Sequence, residues 1–113
     1  MGAALTVTFR HLPRSGALEA AAREIGQRLQ LLNDRMTGCH ILLEGEEASH
    51  EAPRPCVVKI HVSVPGAQIH AEGGPSEEEG QDARHALRAA YDNVKRQLER
   101  LNHSRLEYQT KTP

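Results

Sequence analysis

An α+β fold in the order β-α-β-β-β-α is predicted by three observations. Four short segments carry apolar residues at every second position, two longer ones carry them every three or four, and Gly, Pro and Ser cluster at the boundaries between them. Four strands that are apolar on one face and two helices that are apolar on one stripe bury both most simply as a four-stranded mixed sheet with the two helices packed on one face.

Leu5-Thr6-Val7-Thr8-Phe9-Arg10 is the first strand, β1, with Leu5, Val7 and Phe9 on the inner side of the pleat. The stretch from His11 to Gly16 interrupts the alternation, and the Ser15 hydroxyl can accept the free N–H groups of a helix starting near Ala17. In that helix, α1, Leu18, Ala21, Ala22, Ile25, Leu29 and Leu32 form one apolar stripe. Gly38 restarts the chain, and Cys39, Ile41 and Leu43 alternate with His40, Leu42 and Glu44 to make β2. An acidic loop over 45–55 follows. Cys56, Val58, Ile60, Val62 and Val64 then alternate with Val57, Lys59, His61 and Ser63, the clearest strand of the four, β3. Past Pro65-Gly66, the alternation of Ala67, Ile69 and Ala71 with Gln68, His70 and Glu72 gives β4.

Gly73-Gly74-Pro75 ends the sheet, and Ser76 with Glu79 three residues later matches a capping box, with Asp82 as the other candidate cap. Ala83, Leu87, Ala90, Tyr91, Val94, Leu98 and Leu101 then define a long one-sided helix, α2. The helix between β1 and β2 permits those strands to run parallel, whereas short links make β2, β3 and β4 an antiparallel meander. A two-residue turn at Pro65-Gly66 would place Val64 opposite Ala67, His61 opposite His70 and Lys59 opposite Glu72. Pro before Gly favours type II geometry, which suits two-residue hairpins poorly, so a bulged register is the alternative.

A chain of 113 residues is the size of one domain. With 38% hydrophobic residues, no Trp and one Phe, its core has to be thin and aliphatic. No apolar run approaches the roughly 20 residues that cross a bilayer, and Met1 to Arg10 alternates where a signal peptide would be continuously apolar. A soluble, cytoplasmic protein is expected. Cys39 and Cys56 form no CxxC pair and are expected to be buried thiols.

The formal net charge is −1, yet the layout is polarised. Acid gathers in Glu44, Glu46, Glu47 and Glu51 and again in Glu77, Glu78, Glu79 and Asp82, while Arg84, Arg88, Lys95, Arg96, Arg100 and Arg105 face only Asp92 and Glu99 over the same stretch. Arg84, Arg88 and Lys95, four and seven residues apart, share a flank of α2, with Arg96 and Arg100 further round. Taken alone, such a stripe reads as a solvated helix face, although its geometry can also track phosphates, with an affinity that falls steeply with salt.

His40, His61 and His70 fall on the strand face opposite the apolar one. A cross-strand His pair can begin a metal site, but no carboxylate or thiol joins it in evident register, so a solvated pair and no metal are expected. Ser15, Ser63 and the two Cys lie in no nucleophile motif. Gly73-Gly74 lacks the Lys-Ser/Thr of a phosphate-binding loop. Neither catalytic residues, nor a cofactor, nor a small-molecule substrate is expected.

The run His61-Val62-Ser63-Val64-Pro65-Gly66-Ala67-Gln68-Ile69-His70-Ala71-Glu72, followed by Asp82-Ala83-Arg84-His85-Ala86-Leu87-Arg88-Ala89-Ala90-Tyr91-Asp92-Asn93-Val94-Lys95-Arg96-Gln97-Leu98, resembles the bacterial ribosome hibernation-promoting factor and ribosome-associated inhibitor family, in its short form. The resemblance covers about residues 4 to 105 and agrees in element order. It implies one ribosome-binding-like domain over residues 1–105, with a flexible C-terminal tail over 106–113 and without the further dimerisation domain of long members. It also implies a partner, the small ribosomal subunit and its rRNA, contacted in the decoding region so that messenger and transfer RNA are kept out. Carried to matching positions, the RNA-binding candidates are Arg84, Arg88, Lys95, Arg96 and Arg100, with Arg10, Arg14, Arg23 and Arg28 as additions. The sequence departs from the family pattern in its near-neutral charge, in Arg84 where an aromatic is common, and in a longer acidic loop before β3. Those departures motivate the alternative, a diverged protein-interaction module of the same fold without RNA binding.

Overall fold

The computed structural model describes residues 4–11, 14–45, 56–74 and 83–111, with side chains at all of these except 56 and 103–111. The element order is the predicted one: β1 Ala4–Arg10, α1 Gly16–Leu32, β2 Gly38–Gly45, β3 Cys56–Val64, β4 Ala67–Gly73 and α2 Ala83–Lys111. The acidic loop beyond Gly45, the capping box at Ser76 to Glu79 and the side chains of the predicted tail lie outside the described residues.

The strands form one sheet in the order β1-β2-β3-β4. β1 pairs parallel with β2, from Ala4 opposite Gly38 to Arg10 opposite Glu44, and β2, β3 and β4 make the antiparallel meander. The hairpin register is the unbulged one, with Val64 opposite Ala67, His61 opposite His70 and Lys59 opposite Glu72. Gly66 makes this possible. Its φ of 80° is the value a type II turn demands at its third residue, open to glycine without steric cost. At the other end of the sheet His11 leaves β1 with φ 55°, a conformation that His adopts more readily than most residues.

Alternation sends Cys39, Ile41, Leu43, Val58, Ile60, Val62, Val64, Ile69 and Ala71 to one face, where they are buried, and leaves His40, Lys59, Gln68, His70 and Glu72 exposed on the other. Ala22 and Leu29 from α1, and Ala83, Ala86, Leu87, Ala90, Val94 and Leu98 from α2, close the core over that buried face. The core is aliphatic, as the composition required: the largest fully buried side chains are Leu, Ile and Val, while Phe9 packs only at the margin on edge strand β1. Met36 and Gly26 are core positions that periodicity did not mark; Gly26 is buried because the Leu5 side chain lies against it.

α1 begins one residue earlier than the apolar stripe suggested. Ser15 has an extended backbone, its Oγ accepts from the Leu18 N–H at 3.3 Å and its carbonyl from the Glu19 N–H at 2.9 Å, so Gly16 already takes the first helical position. At the far end the Asn33 N–H donates to the Leu29 carbonyl at 3.2 Å and the backbone turns extended.

The pairings give β1 and β4 the same direction, and α2 runs back along β4: Gly73 lies against Ala86 and Ala90, the His70 carbonyl against Gln97, and Ala67 beside Leu101. At Gly73 the sheet and the helix approach each other closely. A Cβ added there would collide with the Ala86 carbonyl oxygen and lie 2.6 Å from the Ala90 nitrogen, both rigid backbone atoms. Gly73→Ala is therefore expected to destabilise the protein by about 3 kcal/mol, because the helix has to shift off the sheet. Denaturant unfolding of the two proteins measures this, and an unchanged midpoint contradicts the packing described.

Candidate nucleic-acid interface

The rotation of α2 about its axis decides where its cations point. Ala83, Leu87, Ala90, Val94 and Leu98 face the sheet, so at about 100° per residue Arg84, Arg88 and Lys95 fall on one flank and Arg96 and Arg100 on the other. Asp92 and Glu99 lie between the two on the solvent crest. Asn102 shares the flank of Arg84 and Lys95, and its Nδ2 donates to the Leu32 carbonyl at 3.2 Å; this flank therefore looks toward α1. Gln97, beyond Arg96 and Arg100, donates to the His70 carbonyl at 3.0 Å, which turns the second flank toward the edge strand β4. The helix carries two basic edges facing opposite neighbours.

α1 contributes to the first edge. Ala21, Ile25, Arg28 and Leu32 recur at a spacing of four, three and four, which aligns Arg28 with the stripe whose last member meets Asn102. The N-termini of both helices lie at the end of the sheet where β1 and β4 finish, so Arg14, just before the Ser15 cap, and Arg84, at the start of α2, share that end of the molecule.

The sequence-derived candidates are not equivalent. Arg10 meets Glu44 at 3.6 Å, Arg23 meets Glu19 at 3.3 Å and Arg28 meets Glu24 at 2.8 Å, the last two as pairs one helical turn apart. Exposed pairs of this kind are worth only a few tenths of a kcal/mol, but they cancel local charge. Arg88, Lys95, Arg96 and Arg100 meet no described carboxylate within ion-pair distance. Arg84, Arg88, Arg96 and Arg100 are exposed and Lys95 is half-buried. Over residues 84–102 five cations stand against Asp92 and Glu99, a local excess of three positive charges on a chain whose sum is −1.

Two residues without a periodic signature hold the helices together. The buried Asn33 donates from Nδ2 to Asn102 Oδ1 at 3.4 Å and accepts the Arg35 N–H at 2.9 Å, while Asn102 returns a bond to the Leu32 carbonyl. This clasp satisfies an orphan carbonyl at the end of α1 and pins the first basic edge beside it.

On the open face of the sheet, His40 lies opposite His61 and His61 opposite His70. The His61 and His70 rings stack with centroids 4.1 Å apart and planes 17° from parallel. Stacked rings hold their nitrogen lone pairs side by side, not converging on one point. His40 turns away to bond Thr8 Oγ1 through Nε2 at 3.0 Å, and His61 Nε2 bonds Gln68 Oε1 at 3.2 Å. Among the described residues no three His, Cys, Asp or Glu form a metal-holding group, and no helix is long and apolar enough to cross a membrane. Cys39 is a buried free thiol, and desolvation pushes it from 9.0 up to about 11.

The family model described as sigma 54 modulation protein / S30EA ribosomal protein matches residues 5–105. The chain belongs to that family. Membership carries the coarse function with it, a ribosome-associated modulation or hibernation factor, in agreement with the resemblance seen in the sequence. Among the solved structures that share the fold of this chain are two at 18% identity. A ribosomal subunit interface protein from Coxiella burnetii superposes with a TM-score of 0.70 at 18% identity, covering 88% of this chain and 97% of its own. The N-terminal domain of Protein Y from Thermus thermophilus does so at 0.64 and 18%, covering 88% and 98%. None of the curated proteins compared matches the chain.

Asn102→Ala leaves the Leu32 carbonyl and Asn33 Nδ2 without these partners. We expect a loss of about 1–2 kcal/mol in denaturant unfolding, and no loss would show that the clasp is dispensable. For Cys39 the folded state favours the neutral thiol. That advantage is complete below pH 9 and disappears as the pH rises toward 11, so relative to Cys39→Ala the native protein is expected to lose roughly 2 kcal/mol across this window. Stability curves of both proteins at pH 8.5 and 11 check it, and parallel curves contradict it.

Proposed function

We propose that this chain docks on the small ribosomal subunit at the decoding region, presenting the edge of α2 that carries Arg84, Arg88 and Lys95, and that it silences translation by occluding messenger and transfer RNA. The observation that carries this reading is the local excess of cations along α2 in a member of a ribosome-associated family, with Arg88 and Lys95 unclaimed by any described carboxylate. A ribosomal partner places the protein in the cytoplasm. Such an interface requires no bond to be made or broken: it works by charge neutralisation and exclusion. Releasing counterions from the phosphates supplies much of the affinity and makes it salt-dependent.

Arg96 and Arg100 extend the contact on the other side of α2, and Arg14 adds a cation at the end where both helices start. Arg10, Arg23 and Arg28 enter this proposal as lesser contributors, since each has to exchange a carboxylate for a phosphate. The same three pairs, with the net charge of −1, support the second reading, a protein-interaction module of this fold without RNA binding.

Co-sedimentation with ribosomes at low and high salt tests the proposal. The native protein is expected to pellet with small subunits at low salt, with an apparent affinity that falls by roughly two decades per decade of salt if about three phosphates are neutralised. Arg88→Glu combined with Lys95→Glu is expected to abolish pelleting while leaving the unfolding midpoint unchanged. Absence of pelleting by the native protein at low salt removes the proposal. Pull-down of a non-ribosomal protein that survives the double charge reversal establishes the second reading.

A further inference from the structure

The flank of α2 that faces β4 has a feature that its basic charge alone does not explain. Ala67, Ile69, Gln97, Arg100 and Leu101 line a shallow recess of about 300 Å³ beside the edge strand, largely open to solvent. Its floor is apolar: Ile69 is buried, and Ala67 and Leu101 pack against the core. Its polar groups are an amide and a guanidinium.

The amide is held in one orientation. Gln97 Nε2 donates to the His70 carbonyl and to Asn93 Oδ1, each at 3.0 Å. Both partners are acceptors, so the nitrogen has to face them, and both of its protons are used. The remaining hydrogen-bonding atom is Oε1, an acceptor with no partner among the described residues. Arg100 is exposed and meets no described carboxylate, and Arg96 lies one turn before it on the same flank.

An apolar floor, one fixed acceptor and one cation match a flat ring with an N–H on its edge and an attached anion. A nucleotide has all three: every unpaired base offers a face to pack and an edge N–H to donate, and its phosphate suits a guanidinium. We propose that this recess holds one unstacked nucleotide of single-stranded RNA. The base lies over Ala67, Ile69 and Leu101 with its edge N–H donated to Gln97 Oε1. The phosphate sits on Arg100, and Arg96 continues the backbone path. The proposal rests on the reading of the protein as an RNA-docking factor, but it assigns a distinct contact on the opposite flank of α2 from Arg84, Arg88 and Lys95.

Amide-resolved NMR titration of the full chain tests it, with cytidine 5′-monophosphate, ribose 5-phosphate and inorganic phosphate as probes. Cytidine 5′-monophosphate is expected to shift the Gln97 side-chain amide and the backbone amides of Ala67, Ile69 and Leu101. Ribose 5-phosphate, which lacks the base, is expected to bind about tenfold more weakly. Arg100→Gln, an exposed substitution, is expected to weaken the nucleotide severalfold with an otherwise unchanged spectrum. No shifts at these amides with millimolar nucleotide, equal binding of ribose 5-phosphate, or an Arg100→Gln protein that binds as well as the native one each overturns the assignment. Arg88→Glu with Lys95→Glu separates the two proposals, since it is expected to stop ribosome pelleting and leave the nucleotide titration intact. A protein that pellets with ribosomes but fails the titration loses only the recess; one that titrates but does not pellet loses only the subunit docking.

Discussion

The contact between Gly73 and the backbone of α2 at Ala86 and Ala90 is the constraint on which the placement of charge depends. Backbone against backbone leaves little room for the helix to roll. Once Ala86 and Ala90 are pressed to the end of β4, Leu87, Val94 and Leu98 fall into the core, and the cations are assigned to their flanks without further choice. A roll of one residue, about 100°, would carry Arg88 or Arg100 toward the sheet. Burying an unpaired guanidinium costs several kcal/mol, so the apolar stripe and the basic edges fix the same rotation from opposite sides.

Around that helix the molecule divides its cations into two populations. Those on β1 and α1, namely Arg10, Arg23 and Arg28, hold carboxylates on their own or a neighbouring element. Those on α2 from Arg88 to Arg100 stand apart from the described acids. Net charge is therefore a poor guide to this surface. A chain that sums to −1 presents a local excess of three positive charges over residues 84–102 of one helix. What a polyanion meets within a Debye length of about 8–10 Å is the local arrangement. The Asn33–Asn102 clasp keeps the first of the two edges beside α1.

The open face of the sheet is organised by register instead of by a core. The strict two-residue turn at Pro65-Gly66 brings His61 against His70, and the pairing of β2 with β3 extends the row to His40. The His61 and His70 rings stack, His40 bonds Thr8 and His61 bonds Gln68, so the row is tied together across three strand pairings. Of the two registers the sequence left open, the unbulged one holds because Gly66 absorbs the positive φ that the turn demands.

Period-two and period-3.6 patterns are local properties, set by where each Cβ points, and so the order of elements, the inward residues of β2, β3 and α2 and the Ser15 cap were legible in the residues themselves. The family was legible for the same reason, in the hairpin and the run from Asp82 to Leu98. Three matters rested on distances between elements that no local pattern encodes. Asn33 and Asn102 are 69 residues apart and meet only because both helices lie side by side on one sheet. Arg10 meets Glu44 only because β1 pairs with β2, and the recess beside Gln97 exists only where an edge strand and a helix pass each other. Sequence alone determined which residues face inward and which carry charge, because that follows from the chain's own geometry. Tertiary structure decided which charges remain available and what lies beside them, because availability depends on neighbours brought from elsewhere in the chain.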